Sequence, residues 1–185
     1  MNVLIFSEKR NAAYDTRATQ LTDELKHRGH EVHTLSVMQE HIPSLQYMSL
    51  RRWTMQKKHY ETTLRERAKK LKKQLDTLAY DVIIATNVTC AQTMSMLCKK
   101  TELFFPFMVY VSSADEPLRS KHPFFCDAYI IRNEAAQNAL LRQKIASGLI
   151  HLIPHSEQET SQICTCIEKE TRQWKDMIRM FNVGF

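Results

Sequence analysis

Glycine is scarce in this chain: Gly29, Gly148 and Gly184 are the only three in 185 residues, alongside five prolines. That excludes a flexible linker and a collagenous repeat. It also excludes the G-x-G-x-x-G phosphate turn and the G-x-S-x-G hydrolase elbow, neither of which occurs. No apolar run approaches the roughly 20 residues of a membrane span. The first strand-like residues, Asn2 to Phe6, follow Met1 directly, without the charged region and long apolar stretch of a signal peptide. The five cysteines (Cys90, Cys98, Cys126, Cys164 and Cys166) are an odd number. Reduced thiols in a cytoplasm are expected rather than a disulfide framework. Neither C-x-x-C nor H-E-x-x-H spacing is present, so no metal site is expected.

What is present is an ordinary globular composition, 43% hydrophobic and 25% charged, at a length that suits a single domain. The charge is unevenly placed. The chain carries 26 Lys+Arg against 20 Asp+Glu, a net +6. Between residues 51 and 73 there are ten Lys/Arg against Glu61 and Glu66, a local +8 that leaves the rest at −2. The protein has one basic element.

Hydrophobic periodicity alternates between two kinds of segment. Asn2–Phe6 (NVLIF), 81–85 (DVIIA), 107–111 (FMVYV), 127–131 (DAYII) and 150–153 (IHLI) are short apolar runs of the strand type, and 31–37 (EVHTLSV) is a strand whose apolar members are Val32, Leu35 and Val37. Between them lie helical patterns. The first is capped by Asp15, carries Ala18, Leu21 and Leu25 inward and is stopped by Gly29. A long one at 50–78 repeats Tyr60, Leu64, Ala68, Leu71, Leu75 and Leu78. Others are expected at 90–100, 133–145 and 158–181, the last with Ile163, Ile167, Trp174, Ile178 and Phe181 as its stripe. Alternating strands and helices of this kind build right-handed βαβ units on a parallel sheet. The fold class expected is α/β: a single Rossmann-like domain over 1–185, about six parallel strands in the order 3-2-1-4-5-6, and helices on both faces.

Ligands of such a sheet bind at the carboxyl ends of its strands. The loop after the first strand, residues 7–14, has no glycine, so no nicotinamide, flavin or other cofactor is expected. Lys9, Arg10 and Arg17 are its candidate phosphate contacts. His30 and His33 straddle a helix end and a strand, and Pro154 separates His151 from His155, so neither pair has ligand register. Cys164 and Cys166 sit two apart on a helix and face apart. The most polar loop follows the fourth strand: Ser112, Ser113, Ala114, Asp115, Glu116 and Pro117. Its hydroxyls and carboxylates suit a polyol such as a sugar, and its residue types equally suit a turn.

In order and spacing, several segments together resemble the N-terminal half of GT-B retaining glycosyltransferases. They are LxxELKHRGHEVHTL at 21–35, YDVIIATN at 80–87, FPFMVYVSSADEP at 105–117, CDAYIIRNEAAQNALL at 126–141 and IHLIPHS at 150–156. The resemblance implies a domain that receives the acceptor, while a separate donor-binding half holds the nucleotide sugar and transfer takes place between them. It makes Asp115 the catalytic candidate, the surviving aspartate of an H-G-x-D type motif, with Ser112, Ser113, Glu116 and Asn87 as acceptor-binding candidates. The family's glycine pair after the first strand is Ala12-Ala13 here, and its histidine after the fourth is absent. The segment at 157–181 is expected to be a helix that packs back on the fold.

Sugar transfer must stabilise a departing nucleotide diphosphate with preorganised donors and cations. The resemblance places most of those in the other half, so this chain is not expected to be active alone. The alternative is a catalytically silent interaction or structural protein that kept the fold. Arg51, Arg52, Lys57 and Lys58 around Trp53 form a candidate surface for an anionic membrane, which implies a cytoplasmic chain peripheral at the inner face. Nucleic acid is not an expected partner, since Trp53 and Tyr60 are not arranged as a stacking platform.

Overall fold

Alternation of apolar side chains within unbroken apolar runs decides the architecture. Along β1 (Asn2–Lys9), Val3 and Ile5 point to one side and Leu4 and Phe6 to the other, and all four are buried. A strand buried on both sides has to lie inside a sheet covered on both faces. The computed structural model describes residues 1–9, 12–38, 62, 66, 68–69, 71–73, 75, 79–98, 105–111 and 126–182. Among them, β1 is joined by β2 (Glu31–Met38), β3 (Val82–Ala85), β4 (Phe107–Val111), β5 (Ala128–Ile131) and β6 (Ile150–Leu152). All pairings are parallel.

The strand order is β2-β1-β3-β4-β5-β6, not the expected 3-2-1-4-5-6. The third strand does not extend the sheet beyond β2; it crosses over and pairs with β1, Val3 against Val82. Burial explains the choice. All four residues of β3 are fully covered, whereas the described side chains of β2 are half-buried or exposed, as befits an edge. The chain reverses direction of winding between β1 and β3.

One face of the sheet presents Val3, Ile5, Val82, Ile84, Met108, Tyr110, Ala128 and Ile130. It is covered by α1 (Ala12–His27) through Ala18, Leu21 and Leu25, and by α4 (Glu159–Asn182) through Ile163, Cys164 and Ile167. The other face is covered by α2 (Val88–Cys98) and α3 (Glu134–Arg142), and by Ala68, Leu71 and Leu75 from the segment between β2 and β3. Those three belong to the periodic stripe expected there, and the helical positions Lys69, Lys72 and Lys73 beside them are exposed. Tyr60, Leu64 and Leu78 lie outside the described residues.

Helix ends follow local chemistry, with two corrections. Gly29 stops α1 as expected. At φ 82° it lets its N–H reach the Lys26 carbonyl at 2.9 Å, while the His30 N–H reaches Leu25 at 3.1 Å. Lys144 repeats this geometry after α3 without being glycine, at φ 63°. Asp15, expected as a cap, lies inside α1, because the helix already begins at Ala12. Phe181, expected on the inward stripe of α4, is 68% exposed. A helix of 24 residues rises about 36 Å, more than the ~27 Å of even an eight-residue strand, so its last turns outrun the sheet.

Polar ties fasten α4 to the core. Arg28 donates to Glu24 at 2.9 Å, to Glu168 at 3.2 Å and to the Ser161 carbonyl at 2.8 Å. His30 meets Glu168 at 2.8 Å. Further along, Lys175 pairs with Asp81, whose other oxygen accepts from the Asn2 N–H at 2.7 Å. No described helix is long and apolar enough to cross a membrane.

Candidate functional site

Where β4, β5 and β6 end, the sheet opens into a cavity of about 360 Å³ between α1 and the N-terminus of α4. Each lining group is placed by a rigid element. Tyr110 is the penultimate residue of β4 and points toward the α1 and α4 side, as Met108 does. Arg132 follows the last residue of β5 and precedes Asn133, which caps α3 by accepting from the Ala136 N–H at 2.8 Å. Glu159 is the first residue of α4, a position favourable to a carboxylate. His155 and Thr160 stand on either side of it at the rim, Gln20 projects from α1, and Leu21 and Ile163 form the apolar wall.

The centre of the site is a buried ion pair. Glu159 is 7% exposed and accepts from Arg132 Nη2 at 2.8 Å and from the Tyr110 hydroxyl at 3.0 Å. Arg132 Nε is 2.6 Å from Glu159 Oε1 but off the line of a hydrogen bond. His155 Nδ1 lies 2.6 Å from both Arg132 Nη2 and Glu159 Oε2. One ring nitrogen cannot serve both at once: neutral and unprotonated it accepts from Arg132, and protonated it donates to Glu159. The site can therefore offer donors and acceptors together while its core pair stays neutral overall.

Nucleophilic thiol chemistry has no support here. Burial pushes the Cys98 and Cys166 thiols up to about 11 and Cys164 up to about 12, and raises Cys126 as well. Among the described residues no group of three His, Cys, Asp or Glu side chains could hold a metal ion. Burial also pushes the Glu168 and Asp81 carboxyls up. The His30 hydrogen bond and Arg28 outweigh it at Glu168, as Lys175 and the Asn2 N–H do at Asp81, so both end below their ordinary values.

Asn87 is the one residue of the expected acceptor set that is described. It is buried, and its Oδ1 accepts from the Cys90 N–H at 2.9 Å, capping α2. Lys9 ends β1 and Arg17 lies on α1, with side chains outside the described residues. Ser112, Ser113, Asp115, Glu116, Arg10, Arg51, Arg52, Trp53, Lys57 and Lys58 also lie outside them. The sequence reading did not single out Tyr110, Arg132, Glu159, Gln20 or Thr160. A signal was available: Arg132 directly follows the apolar run AYII, at a strand's carboxyl end.

No protein family and no curated protein matches the chain. Solved structures do. A piece of sucrose-phosphate synthase from Thermosynechococcus elongatus, spanning 27–220 and 406–426, superposes with a TM-score of 0.60 at 16% identity, covering 94% of this chain and 98% of that one. The lipopolysaccharide outer core galactosyltransferase WaaB, in its apo form, superposes with a TM-score of 0.59 at 10% identity. There 84% of this chain matches 46% of the other, so this chain spans about half its length. At such identities the likeness is one of fold alone: a Rossmann-like α/β domain on a parallel sheet.

Proposed function

We propose that this chain is the acceptor-side half of a glycosyl-transfer enzyme, and that it works against a separate donor-binding half holding a nucleotide sugar. The observation that carries this reading is the cavity at the carboxyl ends of β4–β6, walled by α4 and lined by hydroxyl, amide, guanidinium and carboxylate groups. Such a lining suits a polyol, whose hydroxyls both donate and accept. The fold likeness, which takes in the terminal helix, supports it. Asp115 is the proposed catalytic residue, with Ser112, Ser113, Glu116 and Asn87 on the acceptor and Lys9, Arg10 and Arg17 toward phosphate.

The test is calorimetric titration of the chain with nucleotide sugars and, separately, with free saccharides. Saccharide binding without nucleotide-sugar binding is expected, because the loop after β1 has no glycine nest for phosphates. Tight one-site binding of a nucleotide sugar would contradict the reading. Binding of neither would favour a silent interaction protein. With a donor half supplied, Asp115→Ala should abolish most transfer and leave the circular dichroism spectrum unchanged.

The basic segment has its own reading, a dock on an anionic membrane face through Arg51, Arg52, Trp53, Lys57 and Lys58. The described part of that segment favours it: Lys69, Lys72 and Lys73 are exposed while Ala68, Leu71 and Leu75 are buried, so its charge faces outward. Each cation near an anionic leaflet contributes about 1 kcal/mol, screened within a Debye length of ~10 Å at 0.1 M salt. Co-sedimentation with phosphatidylglycerol vesicles should fall steeply with salt, and equal binding to neutral vesicles would contradict it.

A further inference from the structure

The geometry points to a specific subsite: we propose that the cavity between α1, α4 and the ends of β4–β6 holds a neutral mono- or disaccharide unit of the acceptor against the fixed Arg132–Glu159 pair. This rests on the acceptor-side reading and deepens it, because it adds the cavity's own side chains to the acceptor contacts proposed in the loop after β4.

Charge selects the ligand class. The guanidinium of Arg132 invites an anion, but Glu159 sits 2.8 Å from Nη2 and already balances it. A phosphate or carboxylate entering the cavity would meet that buried carboxylate, and a cation would meet the guanidinium. A neutral polyhydroxyl compound meets neither obstacle, since each hydroxyl both donates and accepts. The guanidinium edge turned to Glu159 and His155 is that of Nε and Nη2, and among the described residues Nη1 has no hydrogen-bond partner, so it can serve a ligand oxygen. Glu159 keeps lone pairs for a sugar hydroxyl, and Gln20 and Thr160 add donors and acceptors at the rim. Leu21, Ile163 and the Tyr110 ring supply the apolar wall that a sugar's C–H face needs.

Size and rigidity agree. A volume of 360 Å³ is at the small end of the roughly 300–1,000 Å³ of ligand pockets. Arg132 is clamped between the end of β5 and the Asn133 cap of α3, and Glu159 by the first turn of α4. The pair therefore needs little reorganisation on binding, which is where affinity for a weakly hydrophobic ligand is usually lost.

The experiment titrates the full chain with neutral hexoses and disaccharides, and in parallel with inorganic phosphate. Arg132→Lys should reduce saccharide affinity at least tenfold, because an ammonium cannot reproduce the planar fork. Should that variant unfold, Gln20→Ala and Thr160→Ala at the rim keep the question open to measurement. Each should weaken saccharide binding about threefold to tenfold at an unchanged melting temperature. Saccharide binding that is indifferent to all three substitutions would overturn the subsite and leave the acceptor-side reading standing, with the sugar held elsewhere. Saturable phosphate binding that the Arg132 variant loses would overturn the neutral-ligand assignment. No saccharide binding by the unmodified chain would overturn the subsite, and together with no nucleotide-sugar binding it would overturn the acceptor-side reading as well.

Discussion

Removing the Glu159 side chain is the sharpest perturbation of the site's architecture. Glu159→Ala strands a guanidinium whose side chain is only 13% exposed, and it removes one charged acceptor of the Tyr110 hydroxyl. Breaking a buried pair from one side costs about 3–5 kcal/mol, and losing a hydrogen bond from Tyr110 to a charged acceptor about 1.5–3. The two overlap in one network and do not add, and the exposed His155 ring leaves part of the pair near water, so a loss of about 3 kcal/mol is expected. For a chain of 185 residues this is a fall of about 6–12 °C in melting temperature. Urea unfolding followed by circular dichroism should show a lower midpoint at an unchanged slope. Glu159→Gln, which keeps an acceptor but not the charge, should fall between. Arg132→Met with Glu159→Leu together should recover most of the loss, because two apolar side chains replace two charges. A cost below about 1 kcal/mol for Glu159→Ala would refute the reasoning, since that is the value of a solvated surface pair.

The two left-handed helix stops predict opposite signs. Gly29→Ala should cost about 1 kcal/mol, and Lys144→Gly should gain up to about 1, measured as shifts in urea midpoint; a gain at Gly29 would contradict both. Glu168 and Asp81 titrate below their ordinary 4.5 and 3.8, so their stabilisation is complete above those values and drains away as pH falls through the lowered ones. On acidification from pH 7 to 3, Glu168→Gln should therefore lose less stability than the unmodified chain, and an equal or larger loss would contradict the sign. Thiols raised to 11–12 should alkylate slowly at pH 7.5 in the native state and quickly in guanidinium. Rapid native labelling of Cys164 by mass spectrometry would contradict their burial.

The sheet was legible because its inner strands are short apolar runs, which burial on both faces demands, while 31–37 alternates Val32, Leu35 and Val37 with polar residues as a half-covered edge does. Gly29 was legible because glycine is the residue that takes a left-handed stop without a Cβ penalty, whereas Lys144 makes the same stop with nothing in its residue type to announce it. The strand order was not, since apolar runs show which strands are buried but not which neighbour each one chooses. The central ion pair was hidden for a related reason. Arg132 and Glu159 are 27 residues apart and meet only because β6 returns the chain beside β5 before α4 begins. The outward turn of Phe181 was hidden because helical period continues past the point where the sheet stops supplying contacts.

The central claim is that a neutral sugar sits at the ends of β4–β6. Amide and side-chain NMR spectra recorded during titration of the chain with a neutral disaccharide test it most directly. Saturable shifts confined to Gln20, Tyr110, Arg132 and Thr160 are the result expected. Shifts that saturate elsewhere while those four stay still, or no saturable shift at all, would contradict it.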